Sequence, residues 1–182
     1  EITTRLVGSE MCIRDRDSKF RLNNYNGLSN DLKDDPRQLT SQIIEFMVEF
    51  PNAEMAERLQ VEESTPVYKI IRLRLLDGEP YALEHTYMAC DLVPGLDDSI
   101  LLASVYDYLW NTLELKFAGS YRHITAEKPD HYDKDYLACK DDDPILQVEQ
   151  VVYLENGRPI EYSRTRNRYD VRGYSLLDVK NS

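Results

Sequence analysis

The 182-residue sequence predicts an α+β domain: an antiparallel sheet of about six strands, joined mostly by hairpins, with helices packed on one face. The first observation behind this is a strand–helix–hairpin order that occurs twice. The second is a pair of turn dipeptides, Asp77-Gly78 and Asn156-Gly157, each between strand-like runs. The third is a common offset: Pro51 and Pro129, Leu59 and Leu137, and Pro66 and Pro144 each lie seventy-eight residues apart, and past the turn Pro80 matches Pro159 after one extra residue.

"TSQIIEFMVEF" (Thr40 to Phe50) has the β-branched and aromatic content of a strand. "PNAEMAERL" follows as a short helix opened by Pro51. "TPVYKIIRLRLLDGEPYALEHTYM" reads as two strands turning at Asp77-Gly78. Next comes "SVYDYLWNTLEL", whose apolar Val105, Leu109 and Leu113 recur every four positions, as an amphipathic helix requires. The second copy then runs as a strand "GSYRHITAE", a helix "PDHYDKDYL" and a hairpin "DPILQVEQVVYLENGRPIEYSRTRNR".

Hydrophobic residues make up 42% of the chain, enough for one core, and the net charge of -11 with 30% charged residues argues against this segment holding a nucleic-acid backbone by itself. No long apolar run predicts a membrane helix. The three cysteines (Cys12, Cys90, Cys139) have neither disulfide-framework nor zinc-site spacing, which with the absence of a signal-peptide pattern leads to a cytoplasmic expectation. "LVGSEMCIRDR" near the N-terminus resembles a translated sequencing adapter, so residues 1–19 are left as an unassigned, non-native-like segment and the domain is set at 20–182.

No GxGxxG, GxxxxGK[ST] or HExxH occurs. His85, His123 and His131 fall into no metal or nucleophile–base spacing and are read as structural. "KDDDP" (Lys140 to Pro144) lacks the glycine and distal glutamate of a calcium loop and is read as a solvated turn. No cofactor is expected. Arg72 and Arg74 project from one face of their strand, with Ile71, Leu73 and Leu75 on the other. Two such guanidiniums suit a phosphate or carboxylate between them, and a charged exposed strand face is an equally open reading.

"RLRLLDGEPYALEHTYM", "ASVYDYLWNTLELKF" and "DPILQVEQVVYLENGRPIEYSRTRNRYD" together resemble the UTRA domain, the effector-binding module of the HutC subfamily of GntR-type bacterial transcription regulators. The resemblance runs from about Asn26 to Tyr174. It implies a chorismate lyase-like fold, a homodimer, and a phosphorylated sugar, probed as a sugar 6-phosphate, as effector of a repressor in carbohydrate uptake or metabolism. It also implies that DNA is bound through an N-terminal winged helix, of which nothing before Phe20 gives a sign. By the same resemblance Arg72 and Arg74 match the phosphate-holding arginines, Ser104 and Ser29 ("GLSNDL") match hydroxyls near the phosphate, and Glu84 and Glu161 match carboxylates that accept from the sugar. Asn167 falls where sugar-phosphate binders often carry tyrosine. Ser104 also opens a predicted helix, where free N–H groups favour an anion. A chorismate lyase-like enzyme and a ligand-free dimerisation module are the competing readings.

Two register questions follow. Alternation puts Glu161, Ser163, Thr165 and Asn167 on one face of the last strand and Arg164, Arg166 and Arg168 on the other, so the arginine stripe faces away from a ligand held by Glu161. Those arginines are expected to pair with nearby acids or stay solvated, with Arg168 bracing Asp170. In the first hairpin a strict two-residue turn pairs Ile71 with Glu84, turning Glu84 away from Arg72 and Arg74; a longer loop or a bulge, which Gly78 would permit, is needed to bring them together.

Overall fold

The computed structural model describes residues 27–174; the unassigned N-terminal segment lies outside them. The elements are α1 (Gly27–Asp31), β1 (Leu39–Glu49), α2 (Ala53–Leu59), β2 (Val67–Leu76), β3 (Glu79–Ala89), α3 (Asp98–Leu102), α4 (Val105–Asp107), β4 (Phe117–Glu127), α5 (His131–Tyr136), β5 (Ile145–Leu154) and β6 (Pro159–Arg168). They build an α+β fold on one six-stranded antiparallel sheet of order β1-β2-β3-β6-β5-β4.

That order maps onto itself when β1, β2 and β3 exchange with β4, β5 and β6, so the sequence repeat becomes a pseudo-twofold between β3 and β6. β1 and β4 share both bounds at the seventy-eight-residue offset, as do β2 and β5. The helix caps repeat too. Asn52 accepts from Met55 N at 2.9 Å to open α2, and Asp130 accepts from Asp133 N at 3.0 Å to open α5, where Asp133 completes a capping box by accepting from Asp130 N at 2.9 Å. Gln60 and Ala138, at the same offset, both turn the chain out of these helices at φ 53°.

Alternation along β2 divides the core. Val67, Ile71 and Leu73 face α2 and α5, packing with Leu59, Tyr87 and Tyr162 at one end and with Leu83, Leu137 and Ile145 at the other. Ile70, on the opposite face, packs with Met88, Val152 and Ile160 under Leu101 of α3 and Val105 and Leu109. The helices of the repeat thus share one face, as the pattern predicts. The segments before and between the copies stand outside that pattern; α1, α3 and α4 cover the second face, so the single-helical-face expectation holds for the repeat alone.

The helix predicted from Val105 begins where expected but changes pitch. After α4 the chain winds as a π-helical turn over Tyr108–Thr112, with Leu113 N donating to Tyr108 O at 3.0 Å. The wider turn keeps Val105 and Leu109 buried and brings Tyr106, Trp110 and Phe117 into one ring cluster, with centroids 5.4 to 5.9 Å apart.

Candidate functional site

The register question in the first hairpin is settled by a bulge three residues past Gly78, inside β3. Asp77 and Gly78, at φ 53° and 82°, make a tight turn that pairs Leu76 with Glu79 and Leu75 with Pro80. Arg74 then pairs with Ala82, so Tyr81 is the extra residue, and Arg72 comes to lie opposite Glu84. The second hairpin repeats the device: Tyr153 pairs with Pro159 and Val152 with Glu161, leaving Ile160 over. One bulge per repeat therefore turns Glu84 and Glu161 onto the same face as Arg72 and Arg74.

On that face a groove crosses the sheet, with a cavity of about 840 Å³ including its open mouth and an adjoining lobe of about 260 Å³. Ser29, Arg72, Arg74 and Ser104 meet at the lobe; Glu84 lines both spaces, and Glu161 lines the larger. Asn167 lines neither. Its side chain is fully buried, with Nδ2 donating to Leu146 O at 3.1 Å and Oδ1 accepting from Arg172 Nη1 at 3.5 Å. Arg172 does line the cavity, so Asn167 meets the groove only through it.

Arg72 and Arg74 are 7% and 4% exposed, and both reach one oxygen, Glu84 Oε2, at 2.7 and 3.3 Å. Arg72 Nη1 also donates to Leu101 O at 2.9 Å, and Arg74 Nη2 to Ser29 Oγ at 3.1 Å. The Nε of each is buried with no protein partner. Burial pushes the Glu84 carboxyl up, but Arg74 and Arg72 outweigh it and hold the group below its ordinary value. Two guanidiniums against one carboxylate leave a local excess of positive charge beside the lobe.

Ser104 caps α4, its Oγ accepting from Asp107 N at 3.2 Å. Two residues on, Tyr106 stands between the two spaces and donates to Glu161 Oε2 at 2.7 Å. Glu161 Oε1 accepts from Ser163 Oγ at 2.6 Å and Gln150 Nε2 at 3.4 Å. Burial pushes this carboxyl up to about 7, with the Glu84 charge adding to the rise and Ser163, Gln150 and Arg72 opposing it. The groove thus holds one ionised carboxyl and one poised to titrate near pH 7 over a cationic end, an arrangement that can grip an anion and order several hydroxyls.

Sequence reasoning missed Tyr106, Gln150, Arg122 and Arg172. Gln150 and Arg122 had a signal in strand alternation: the cross-strand ladder runs Ile70, Thr86, Ser163, Gln150, Arg122 across five strands, so each shares the Glu161 face. Arg172 had none, since it follows the last strand. On the other face, Arg166 is paired with an acid, as expected, but buried: its Nε and Nη2 donate to Asp133 at 2.6 to 3.0 Å. Arg168 braces Asp170 at 2.6 Å in an exposed pair. His85 packs edge-on against Tyr132, and burial lowers it to about 4.

This duplicated antiparallel sheet, with a polar groove on one face and the repeat helices on the other, superposes on solved transcriptional regulators of the GntR family. The chain belongs to the UTRA domain family, whose family model matches residues 35–171. It is 49% identical over 144 residues to the HTH-type transcriptional regulator GmuR of Bacillus subtilis (strain 168), covering 79% of this chain and 60% of that protein. It is also 26% identical over 134 residues to the HTH-type transcriptional regulator TreR of the same organism, covering 74% and 56%. Among solved structures, a GntR-family transcriptional regulator from Bacillus cereus superposes with a TM-score of 0.71 at 34% identity, covering 78% of this chain and 99% of that one. YydK of Bacillus subtilis superposes at 0.80 with 24% identity, covering 91% and 70%, a likeness of fold alone. The chain spans about 60% of the length of the curated regulators GmuR and YydK.

Proposed function

We propose that this chain is the effector-sensing domain of a transcriptional regulator, a repressor of carbohydrate uptake or metabolism, and that its effector is a phosphorylated sugar. The observation that carries the reading is the convergence of Arg72, Arg74, Ser29 and Ser104 on one lobe, next to Glu84 and Glu161. The phosphate takes charge-assisted hydrogen bonds from the two guanidiniums, and the carboxyls accept from the sugar hydroxyls. Binding shifts the equilibrium between two arrangements of a cytoplasmic homodimer, and a winged-helix domain elsewhere in the full regulator reads the shift as altered DNA affinity.

The test is a melting curve with increasing glucose 6-phosphate and related sugar 6-phosphates, with the unphosphorylated sugars as controls. A rise that grows with concentration is expected for the phosphorylated form. Equal shifts from both forms overturn the phosphate assignment. Sedimentation at micromolar concentration reads the dimer, and a monomer there removes that part of the reading. Product formed from a bound probe would favour the enzyme alternative over a sensor.

A further inference from the structure

The two carboxyls of the groove are held by different kinds of partner. Glu84 Oε2 takes its bonds from the guanidiniums of Arg72 and Arg74, which can only donate. Glu161, 4% exposed, takes all three of its bonds from neutral groups: the hydroxyls of Tyr106 and Ser163 and the amide of Gln150. Arg72 and Arg74 make their ion pairs with Glu84 instead.

That difference sets which carboxyl can take up a proton. A proton on Glu84 Oε2 would face two donors that cannot accept it. A proton on Glu161 meets hydroxyls, which accept as well as donate once the O–H rotates. Tyr106 can reverse its 2.7 Å bond and turn its own hydrogen toward the groove it lines, so no buried polar group is stranded.

The charges around the groove give the coupling its direction. Arg72 and Arg74 come from β2, Arg122 from β4 and Arg172 from beyond β6, facing Glu84 on β3 and Asp31 on α1, with Tyr174 as a further phenol. The field of Arg72 reaches Glu161 as well as Glu84 and favours the ionised form of both. An anion seated on Arg72 and Arg74 cancels that field and adds negative charge of its own, so the protonated form of Glu161 gains. Glu84 is in direct contact with two guanidiniums, and Asp31 is exposed and screened by solvent. Burial already pushes the Glu161 carboxyl up to about 7, so a small further rise places the coupling at neutral pH.

We propose that Glu161 is a proton-binding site coupled to the anion lobe, so that the effector enters the groove together with one proton from solvent. The proton goes onto a Glu161 oxygen, and no bond of the effector is made or broken. Affinity is then full below the free-state pKa of Glu161 and is lost as pH rises through the higher bound-state value. The coupling rests on the anion-binding part of the reading above and extends it to the charge state in which the site closes on its ligand.

Calorimetric titration of the full chain with glucose 6-phosphate at pH 7.5, in buffers of different ionisation enthalpy, counts the protons. A phosphate monoester with a second pKa of about 6 is already the dianion there, so a proton taken up belongs to the protein. Uptake of about half a proton per bound ligand is expected, with affinity about fivefold weaker at pH 9 than at pH 7, as a one-unit rise above 7 requires. Sulfate, which exchanges no proton in this range, should show uptake too. Glu161→Gln, whose amide stands in for the protonated carboxyl, should bind either anion without uptake and with an affinity flat from pH 7 to 9. Asp31→Asn should keep the uptake, and melting curves without ligand confirm that both variants fold. Binding to the unsubstituted chain without proton uptake overturns the coupling and leaves the sensor reading standing. So does uptake that survives Glu161→Gln or vanishes in Asp31→Asn. Binding of neither anion overturns both readings.

Discussion

Arg72 lies directly across the β2–β3 ladder from Glu84, and their side chains meet at 2.7 Å in a pair that shares its carboxylate oxygen with Arg74. The sharing makes the three residues unequal. Removing Arg72 leaves Glu84 still paired with Arg74, whereas removing Glu84 leaves two buried guanidiniums facing each other. Glu84→Ala is therefore expected to destabilise more than Arg72→Ala, by an amount toward the roughly 3–5 kcal/mol seen when a buried pair is broken. An anion should repair the gap. Inorganic phosphate or sulfate is expected to raise the melting temperature of Glu84→Ala more than that of the unsubstituted chain, and to do nothing comparable for Arg72→Ala.

Glu161 and His85 make opposite contributions to the pH dependence of stability. Burial raises Glu161 from 4.5 to about 7, so its contribution is fully present below pH 4.5 and is lost as pH rises to about 7. Burial lowers His85 from 6.5 to about 4, so its contribution is present above pH 6.5 and is lost as pH falls toward 4. Between pH 4.5 and 6.5 the two slopes oppose. Glu161→Gln should therefore gain stability relative to the unsubstituted chain at pH 8, on the order of 3 kcal/mol, with no such gain at pH 4.5. His85→Phe should show the reverse, a relative gain at pH 4.5 against pH 8. Urea melts of the three proteins from pH 4.5 to 8 read this directly, and parallel curves would show that neither group's pKa differs between the folded and unfolded chain.

Arg166 and Arg168 belong to one sequence stripe but to different environments. Arg166 is 8% exposed against the fully buried Asp133, and also donates to Gln147 at 2.6 Å and to Lys128 O at 2.9 Å. Arg168 and Asp170 pair in solvent. Arg166→Ala should cost about 3–5 kcal/mol, and Arg168→Ala no more than about 1 kcal/mol. Because both face away from the groove, sugar-phosphate affinity measured well below the melting temperature should stay within about threefold in each.

How far such distinctions were legible depends on the range of the interactions behind them. Strand and helix limits came through because Pro51, Pro129, Asp77-Gly78 and Asn156-Gly157 act locally, and the duplication doubled each signal. The shared face of Arg72, Arg74, Glu84 and Glu161 needed the bulges at Tyr81 and Ile160, which no local composition specifies. The inward side of Asn167 was readable from alternation, but its partner Arg172 was not, since the chain brings it back only after the strand has ended. Arg166 read as a surface charge because the residue that buries it, Asp133, is contributed by a helix more than thirty positions earlier. The second helical face was missed for a related reason: α1 and α3 carry no copy elsewhere in the sequence.

Gly27 connects backbone conformation to the groove through a single contact. Its φ is +70°, and a Cβ there would sit 2.8 Å from Tyr106 Cδ2 and 3.1 Å from Cγ, the body of a ring. That ring cannot swing away freely, because it packs on Trp110 and Phe117 and its hydroxyl is bonded to Glu161 at 2.7 Å. Gly27→Ala must therefore carry left-handed strain and displace Tyr106 at once. Gly157, at φ +82° with nothing within 4 Å of its would-be Cβ, carries the strain alone. Gly157→Ala should cost on the order of 1 kcal/mol of stability and leave sugar-phosphate affinity unchanged. Gly27→Ala should cost more and should also weaken binding by roughly tenfold, since Glu161 loses the donor that orients it. Tyr106→Phe, which keeps the ring and removes the hydroxyl, separates the two causes. If it weakens binding as much as Gly27→Ala, the lost hydrogen bond is responsible; if it binds normally, the displaced ring is.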